Sequence, residues 1–363
     1  MPVRTHNPAR PRRRRPALVA VATIPLVVLL GACGGTSTAA GGGPALAPDA
    51  PLPTSVAEGT TIVVGDPQVE QALRLSGELD KFTFPVSFAN ISGGPQTLEA
   101  FRAKALDVGA VADIPPLQAA WTGVDTRIVA AQYRKEPVSH PIYQLGVAPG
   151  VTVRSLADLR GKKIAYSPGQ AQGALVLRVL QKAGLTKDDV QLVELPSTGD
   201  VYPTALASKQ IDVAPIGGVQ VKRYLAKYGR DGATVVAHGL RDDPGHLYAL
   251  ESSLQDAGKA AAIREYVAHW GVALKWIDEH PKEWIEGYYV KNQGLTTADG
   301  EYLVKSAGVR DVPTRWDEAI ERHQATADLL AAEQDRAHID VKTLWDRRFE
   351  TIGGASYANG QAS

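Results

Sequence analysis

The chain has 363 residues, with 39 lysines and arginines against 39 aspartates and glutamates, and 44% of it is apolar. No basic patch with interleaved aromatics is present, which argues against a nucleic-acid partner. Cys33 is the one cysteine, so an intrachain disulfide and a cysteine metal cluster are both excluded. In chain order the first feature is the basic run Arg12-Arg13-Arg14-Arg15, followed by an apolar stretch over 17–30 and then small residues. This is the pattern of an export signal over 1–32, and its apolar stretch is shorter than the about 20 residues that span a bilayer.

The signal ends in Leu30-Gly31-Ala32-Cys33. This resembles the bacterial lipobox, which implies Cys33 as a lipidated first residue and an extracytoplasmic protein anchored to the cell membrane. The arginine run is compatible with either the general or the twin-arginine export route. Six arginines leave with the signal, so the mature chain carries a formal charge of −6. Residues 33–59 are mostly Gly, Thr, Ser, Ala and Pro and are expected to form a flexible linker.

The remaining body suits two domains. In 60–148 the pattern alternates. A β-branched run at 61–64 leads through Gly65-Asp66-Pro67 to a helix-period segment over 68–79. A strand over 84–91 is followed by Ser92-Gly93-Gly94-Pro95 and a helix over 96–105. The strand "LDVGAV" then runs into Asp113-Ile114-Pro115-Pro116, where proline suits a first helical turn, and "TRIVAAQYR" and "YQLGVAP" add strands. The order restarts over 149–242, with "KKIAYSPGQAQGALVLRVL", "VQLVELPSTGDVY" and "DVAPIGGVQ". From 243 to 350 the chain is mostly helical, with Ile263, Tyr266, Val267, Trp270, Leu274 and Ile277 at core-facing helical spacing. Residues 351–363 read as a disordered tail. Such alternation predicts α/β lobes with helices covering the sheets.

Glycine-rich turns end the strands of both lobes: "GDPQ", "ISGGPQ" and "ADIPP" in one, "YSPGQAQG", "PSTGDVY" and "PIGGVQ" in the other. Ligands of open α/β sheets sit beyond the carboxyl ends of the strands. The first helical turn favours an anion through its free N–H groups. Together these turns predict a cleft that closes on a solute, hinged near Ala148-Pro149-Gly150 and Asp242-Asp243-Pro244-Gly245. Arg134 and Lys135 are expected in a solvated loop, the alternative being an approach to the cleft.

From about residue 60 to 349 the chain resembles the aliphatic-sulfonate-binding proteins of bacterial ABC importers, within a wider family of taurine-, nitrate- and thiamine-precursor-binding proteins. The resemblance rests on "SGGPQTLEAFRAKALDVGAVADIPPLQA", "GKKIAYSPGQAQGALVLRVLQKAGL" and "ATADLLAAEQDRAHIDVKTLWDRRF". It implies a two-lobed type II periplasmic-binding fold that grips a small anion and delivers it to permease and ATPase subunits, as a monomer without a cofactor or metal. By matching position it implies ligand contacts from Ser92, Gly94 and Gln96, from Asp113, from Ser167, Gln170, Gln172 and Gly173, and from Gly218. Gln68, after the first strand, is expected to face the same cleft. Asp113 is expected either to receive a ligand amine or to cap the Pro115-Pro116 helix. Relatives often carry an aromatic ring where this chain has Pro215-Ile216-Gly217-Gly218-Val219-Gln220, which implies more room for a ligand tail. The alternatives are a nitrate or thiamine-precursor binder in the same role, a sensor lipoprotein using the same cleft, and a cofactor-biosynthesis enzyme of the same fold. Against the enzyme, the histidines show no H-x-x-x-H pair and no G-x-S-x-G is present.

Overall fold

Prolines stand in the first turns of three helices that follow strands, at Pro67, Pro95 and Pro115, where a missing N–H is no loss and the fixed φ suits a helix. The computed structural model describes residues 44–362. The signal over 1–32 and Cys33 lie outside these residues.

The first lobe begins with β1 (Ile62–Gly65), α1 (Pro67–Ser76), β2 (Val86–Phe88), α2 (Gly94–Arg102), β3 (Val108–Val111), α3 (Ile114–Trp121) and β4 (Thr126–Arg134). The second lobe holds β5 (Tyr143–Val147), β6 (Lys163–Tyr166), α4 (Ala171–Lys182), β7 (Gln191–Glu194), α5 (Val201–Ala207), β8 (Val213–Gly217), α6 (Val219–Tyr228) and β9 (Thr234–Val236). The chain then returns through β10 (Gly245–Leu250), α7 (Glu251–Leu254), α8 (Ala257–Glu279) and α9 (Pro281–Trp284), which runs into a π-helical segment, Ile285–Asn292. It ends with α10 (Thr297–Ala307), β11 (Arg310–Asp311), α11 (Asp317–Gln334) and α12 (Ile352–Asn359).

Two mixed sheets result, in the orders β11-β4-β10-β3-β1-β2 and β7-β6-β8-β5-β9. In the first, β1 lies parallel to β2 and β3, while β10 is antiparallel to β3 and β4. The larger core joins the first sheet to α8, whose Ile263, Tyr266, Val267, Trp270, Leu274 and Ile277 are all buried as their spacing predicts. Ala174 and Leu177 of α4 also enter this core, so the two lobes share an apolar contact. No helix among the described residues is long and apolar enough to cross a membrane.

Three boundaries differ from the sequence reading. Tyr143–Val147 was expected in the first lobe, but it pairs antiparallel with β8 and β9. The outward crossing is therefore 135–142, and Ala148-Pro149-Gly150 lies inside the second lobe, where the Ala148 N–H donates to the Asp212 carbonyl at 2.9 Å. The return crossing, 237–244, contains most of the expected second hinge.

The expected linker is fixed over its described part. Leu46 N–H donates to the Gln255 carbonyl (2.7 Å), Ala257 N–H donates to that of Pro44 (2.9 Å), and Leu52 and Val56 pack on the core.

The expected disordered tail is instead largely helix α12, docked on α8. A Cβ on Gly271 would lie 2.3 Å from the Gly353 carbonyl oxygen, so small residues let the two backbones approach. Composition alone reads such a stretch as unstructured.

Candidate functional site in the cleft between the lobes

Gln68, which follows β1, Arg134, which ends β4, and Gly218, which follows β8, line one cavity between the lobes. The SGGPQ and SPGQ turns nearly meet: a Cβ on Gly94 would lie 2.6 Å from Pro115 Cγ and 3.9 Å from the Gly169 carbonyl oxygen. Glycine at 94 therefore serves a close approach.

A cavity of about 620 Å³ opens beside the crossover strands. Its wall includes Gln68 at the start of α1, Gln132 and Arg134 at the end of β4, Gln144 on β5, Gly218 before α6 and Arg310 on β11. Gly218 has φ 54° and ψ −137°, a conformation that L side chains rarely adopt. Arg134 and Arg310 are paired in register across β4 and β11. Arg310 donates to Asp278 at 3.1 Å and to Gln132 Oε1.

Arg134 differs. Its guanidinium donates to the carbonyl oxygens of His140 and Ser306. Among the described residues no carboxylate forms an ion pair with it. Burial pulls it below the usual arginine value, while Asp242 and Asp243 act in the opposite direction. The loop assignment of Arg134 is therefore corrected: it ends a strand and stands in the cavity wall. Gln132 and Arg134 lie two apart on a strand and so share one face, a signal present in "AAQYR". Arg310, far away in sequence, gave no local signal.

The sequence-predicted residues divide. Gln68 and Gly218 line this cavity. Asp113 lines a smaller one of about 390 Å³. Ser92, Gly94, Gln96, Ser167, Gln170, Gln172 and Gly173 line neither. Ser92 and Gln96 are exposed. Ser167 Oγ accepts from the Tyr202 hydroxyl at 3.0 Å. Gln170 Oε1 accepts from Ser197 N–H (3.2 Å) and Oγ (2.5 Å). Both side chains thus tie the β6–α4 turn to neighbours within the second lobe.

Gly173 is a packing glycine, since a Cβ there would sit 2.0 Å from the Ser167 carbonyl oxygen. Asp113 makes no side-chain capping bond to α3, which corrects that expectation. Its carboxylate instead meets Arg178 of the second lobe at 3.1 Å. The described residues contain no group of three or more His, Cys, Asp or Glu placed to hold a metal.

Residues 93–242 match the NMT1/THI5-like family. A protein of Escherichia coli (strain K12), named for binding aliphatic sulfonates, is 35% identical over 106 residues, 29% of this chain and 32% of that one. The chain thus matches about a third of the length of that curated relative. Among solved structures, the periplasmic aliphatic sulphonate binding protein SsuA from E. coli aligns over 78% of this chain and 91% of its own, with a TM-score of 0.65 and 21% identity. The alkanesulfonate-binding protein SsuA from Xanthomonas axonopodis pv. citri, bound to MOPS, aligns over 80% and 99%, with a TM-score of 0.65 and 24% identity. The fold is that of the periplasmic binding proteins.

Proposed function

We propose that this chain, NMT1/THI5-like over residues 93–242 and built on the periplasmic-binding fold, is the extracytoplasmic solute-binding lipoprotein of an ABC importer. It captures a sulfonate-type organosulfur anion between its lobes and hands it to a permease served by an ATPase. Cys33 carries the lipid anchor, and the protein acts as a monomer.

The observation that carries this reading is Arg134, a partly desolvated cation in the wall of a cavity of about 620 Å³ that both lobes line, whose guanidinium has only carbonyl oxygens as hydrogen-bond partners among the described residues. A sulfonate supplies one negative charge and three acceptor oxygens. Arg134 meets the charge, and the amides of Gln68, Gln132 and Gln144 and the backbone around Gly218 surround the oxygens. The facing turns at Ser92, Gly94 and Gln96 and at Ser167, Gln170, Gln172 and Gly173 close over it, and Asp113 joins the lobes through Arg178.

Closure is coupled to binding only through contacts that both lobes make at once. The supporting relatives are described as binding proteins.

A thermal-shift panel of alkanesulfonates, taurine, an aromatic sulfonate, nitrate, sulfate and a thiamine precursor tests the reading. A ligand at 100 times its Kd adds about 2.7 kcal/mol of stability, which raises Tm by a few degrees. A sulfonate should raise Tm in the protein and raise it by clearly less in Arg134→Gln. A shift with nitrate or the thiamine precursor alone would overturn the substrate and keep the transport role. Release of sulfite from a bound sulfonate would make the protein an enzyme.

A further inference from the structure

The smaller cavity lies against the same crossover segment, with Tyr133 and Pro244 in the walls of both. Its volume, about 390 Å³, falls within the range of small-molecule pockets. Both lobes build it: Arg178 and Lys182 come from α4, Arg241 from the return crossing, and Asp113, Arg322 and His323 from the first lobe. Leu240, Ala325 and Leu329 supply an apolar side.

Four cations therefore face one acid. Arg178 is matched by Asp113 at 3.1 Å, and Arg241 by Asp243 at 2.7 Å. The other two are not matched within the wall. Lys182 Nζ donates to the carbonyl oxygens of His238 (3.2 Å) and Gly239 (2.6 Å), and among the described residues no carboxylate pairs with it. Arg322 meets Glu318 at 3.4 Å, but that carboxylate stands outside the cavity with its side chain 90% exposed. Arg322 also lies over the Tyr133 ring, 4.9 Å from its centroid. His323 is fully used: its Nδ1 accepts from Trp345 Nε1 at 3.2 Å, which leaves Nε2–H to donate to the Asp113 carbonyl at 2.9 Å.

We propose that this cavity is a second binding site, for an organic anion that joins a carboxylate or sulfonate to a small apolar body, with Lys182 and Arg322 holding the charge and Leu240 and Leu329 the body. Because residues of both α4 and α11 line it, an occupant contacts both lobes and biases them toward the joined arrangement. The proposal does not rest on which solute the larger cavity binds.

Calorimetric titration of the protein with benzoate and with benzenesulfonate, using benzyl alcohol as the uncharged control, tests it. Three variants are compared: Arg322→Gln removes a charge, Ala325→Leu narrows the exposed mouth without altering charge, and Gln68→Ala alters only the larger cavity. The expected result is benzoate binding that falls about tenfold or more in Arg322→Gln, falls in Ala325→Leu, and is unchanged in Gln68→Ala. Benzyl alcohol should give no binding. Absence of binding by both anions overturns the proposal. So does weakening that follows Gln68→Ala rather than Arg322→Gln, which would place the anion in the larger cavity.

Discussion

Asp242 and Asp243 are neighbours in sequence, and their carboxylates hold opposite lobes. Asp242 accepts from the backbone N–H groups of Ile142 (2.9 Å) and Tyr143 (2.7 Å), where the second lobe begins. Asp243 accepts from the backbone N–H of Arg134 at 2.6 Å, where the first lobe's strand ends. Arg241 completes the clasp by donating to Asp243 (2.7 Å) and to the Arg134 carbonyl (3.1 Å). The return crossing thus fastens both ends of the outward one. Hydrogen bonds to a charged group contribute about 1.5–3 kcal/mol. In Asp242→Asn the amide can accept only one of the two N–H groups, so a loss of roughly 2 kcal/mol is expected in urea unfolding. Unchanged stability would show that the clasp is passive.

Arg134 gives the second prediction. Replacement by Gln keeps a donor but removes the charge, so sulfonate affinity should drop at least tenfold in titration calorimetry. Lysine at this position should recover only part of it, because a point charge cannot reproduce the guanidinium's two carbonyl contacts and still face the ligand. Full affinity in Arg134→Gln would remove Arg134 from the site.

Sequence patterns disclosed the two lobes because each strand-to-helix passage is local: β-branched run, glycine or proline turn, apolar helical stripe. They did not place β5, because a strand's partner sheet is set by distant residues, here 213–217 and 234–236. The same limit applies to the site. Gln68 and Gly218 were legible from turns that end strands. Arg310 reaches Arg134 only after 175 intervening residues have folded. Gly173 was expected as a ligand contact through the resemblance, but the approach of α4 to its own turn is what the geometry shows.

That approach is testable. Gly173→Ala places a Cβ 2.0 Å from the Ser167 carbonyl oxygen, backbone that cannot move without shifting the turn. Overpacking of this kind costs about 1–3 kcal/mol, and Tm should fall by several degrees. A variant as stable as the parent would mean that the turn relaxes freely.

Asp66 makes stability depend on pH. Burial lifts its carboxyl from 3.8 to about 7, even though its side chain accepts from the Val69 N–H as the cap of α1. The folded value lies above the unfolded one, so the folded state takes up a proton. The group's destabilising effect is absent below the unfolded value, grows as pH rises from about 4 to about 7, and is complete above that. Three pH units correspond to about 4 kcal/mol. Asp66→Asn keeps a capping acceptor and removes the titration. It should be more stable than the parent at pH 8, with the difference reduced to about a quarter at pH 4.5 and lost as the pH falls below 3.8. A difference equal at pH 8 and pH 4.5 would rule out Asp66 as the source.

Asp299 on α10 accepts from Lys222 (2.8 Å) and Arg223 (3.3 Å) of α6, joining the lobes on the side of the larger cavity. Lys222 foremost holds its carboxyl down to about 2. The folded value is depressed, so this contact contributes above the unfolded value and is lost only as pH falls toward 2. It is therefore a constant at neutral pH and is best tested by substitution. Asp299→Asn leaves both cations unpaired, but their side chains are 37% and 56% exposed and pairs with such solvated cations add little to global stability, so Tm should barely change. The distribution of lobe arrangements should change instead. Small-angle scattering without ligand should give a larger radius of gyration for the variant, and a bound sulfonate should dissociate faster. An unaltered radius with an unaltered dissociation rate would show that the apolar contact through Ala174 and Leu177 suffices to hold the lobes together.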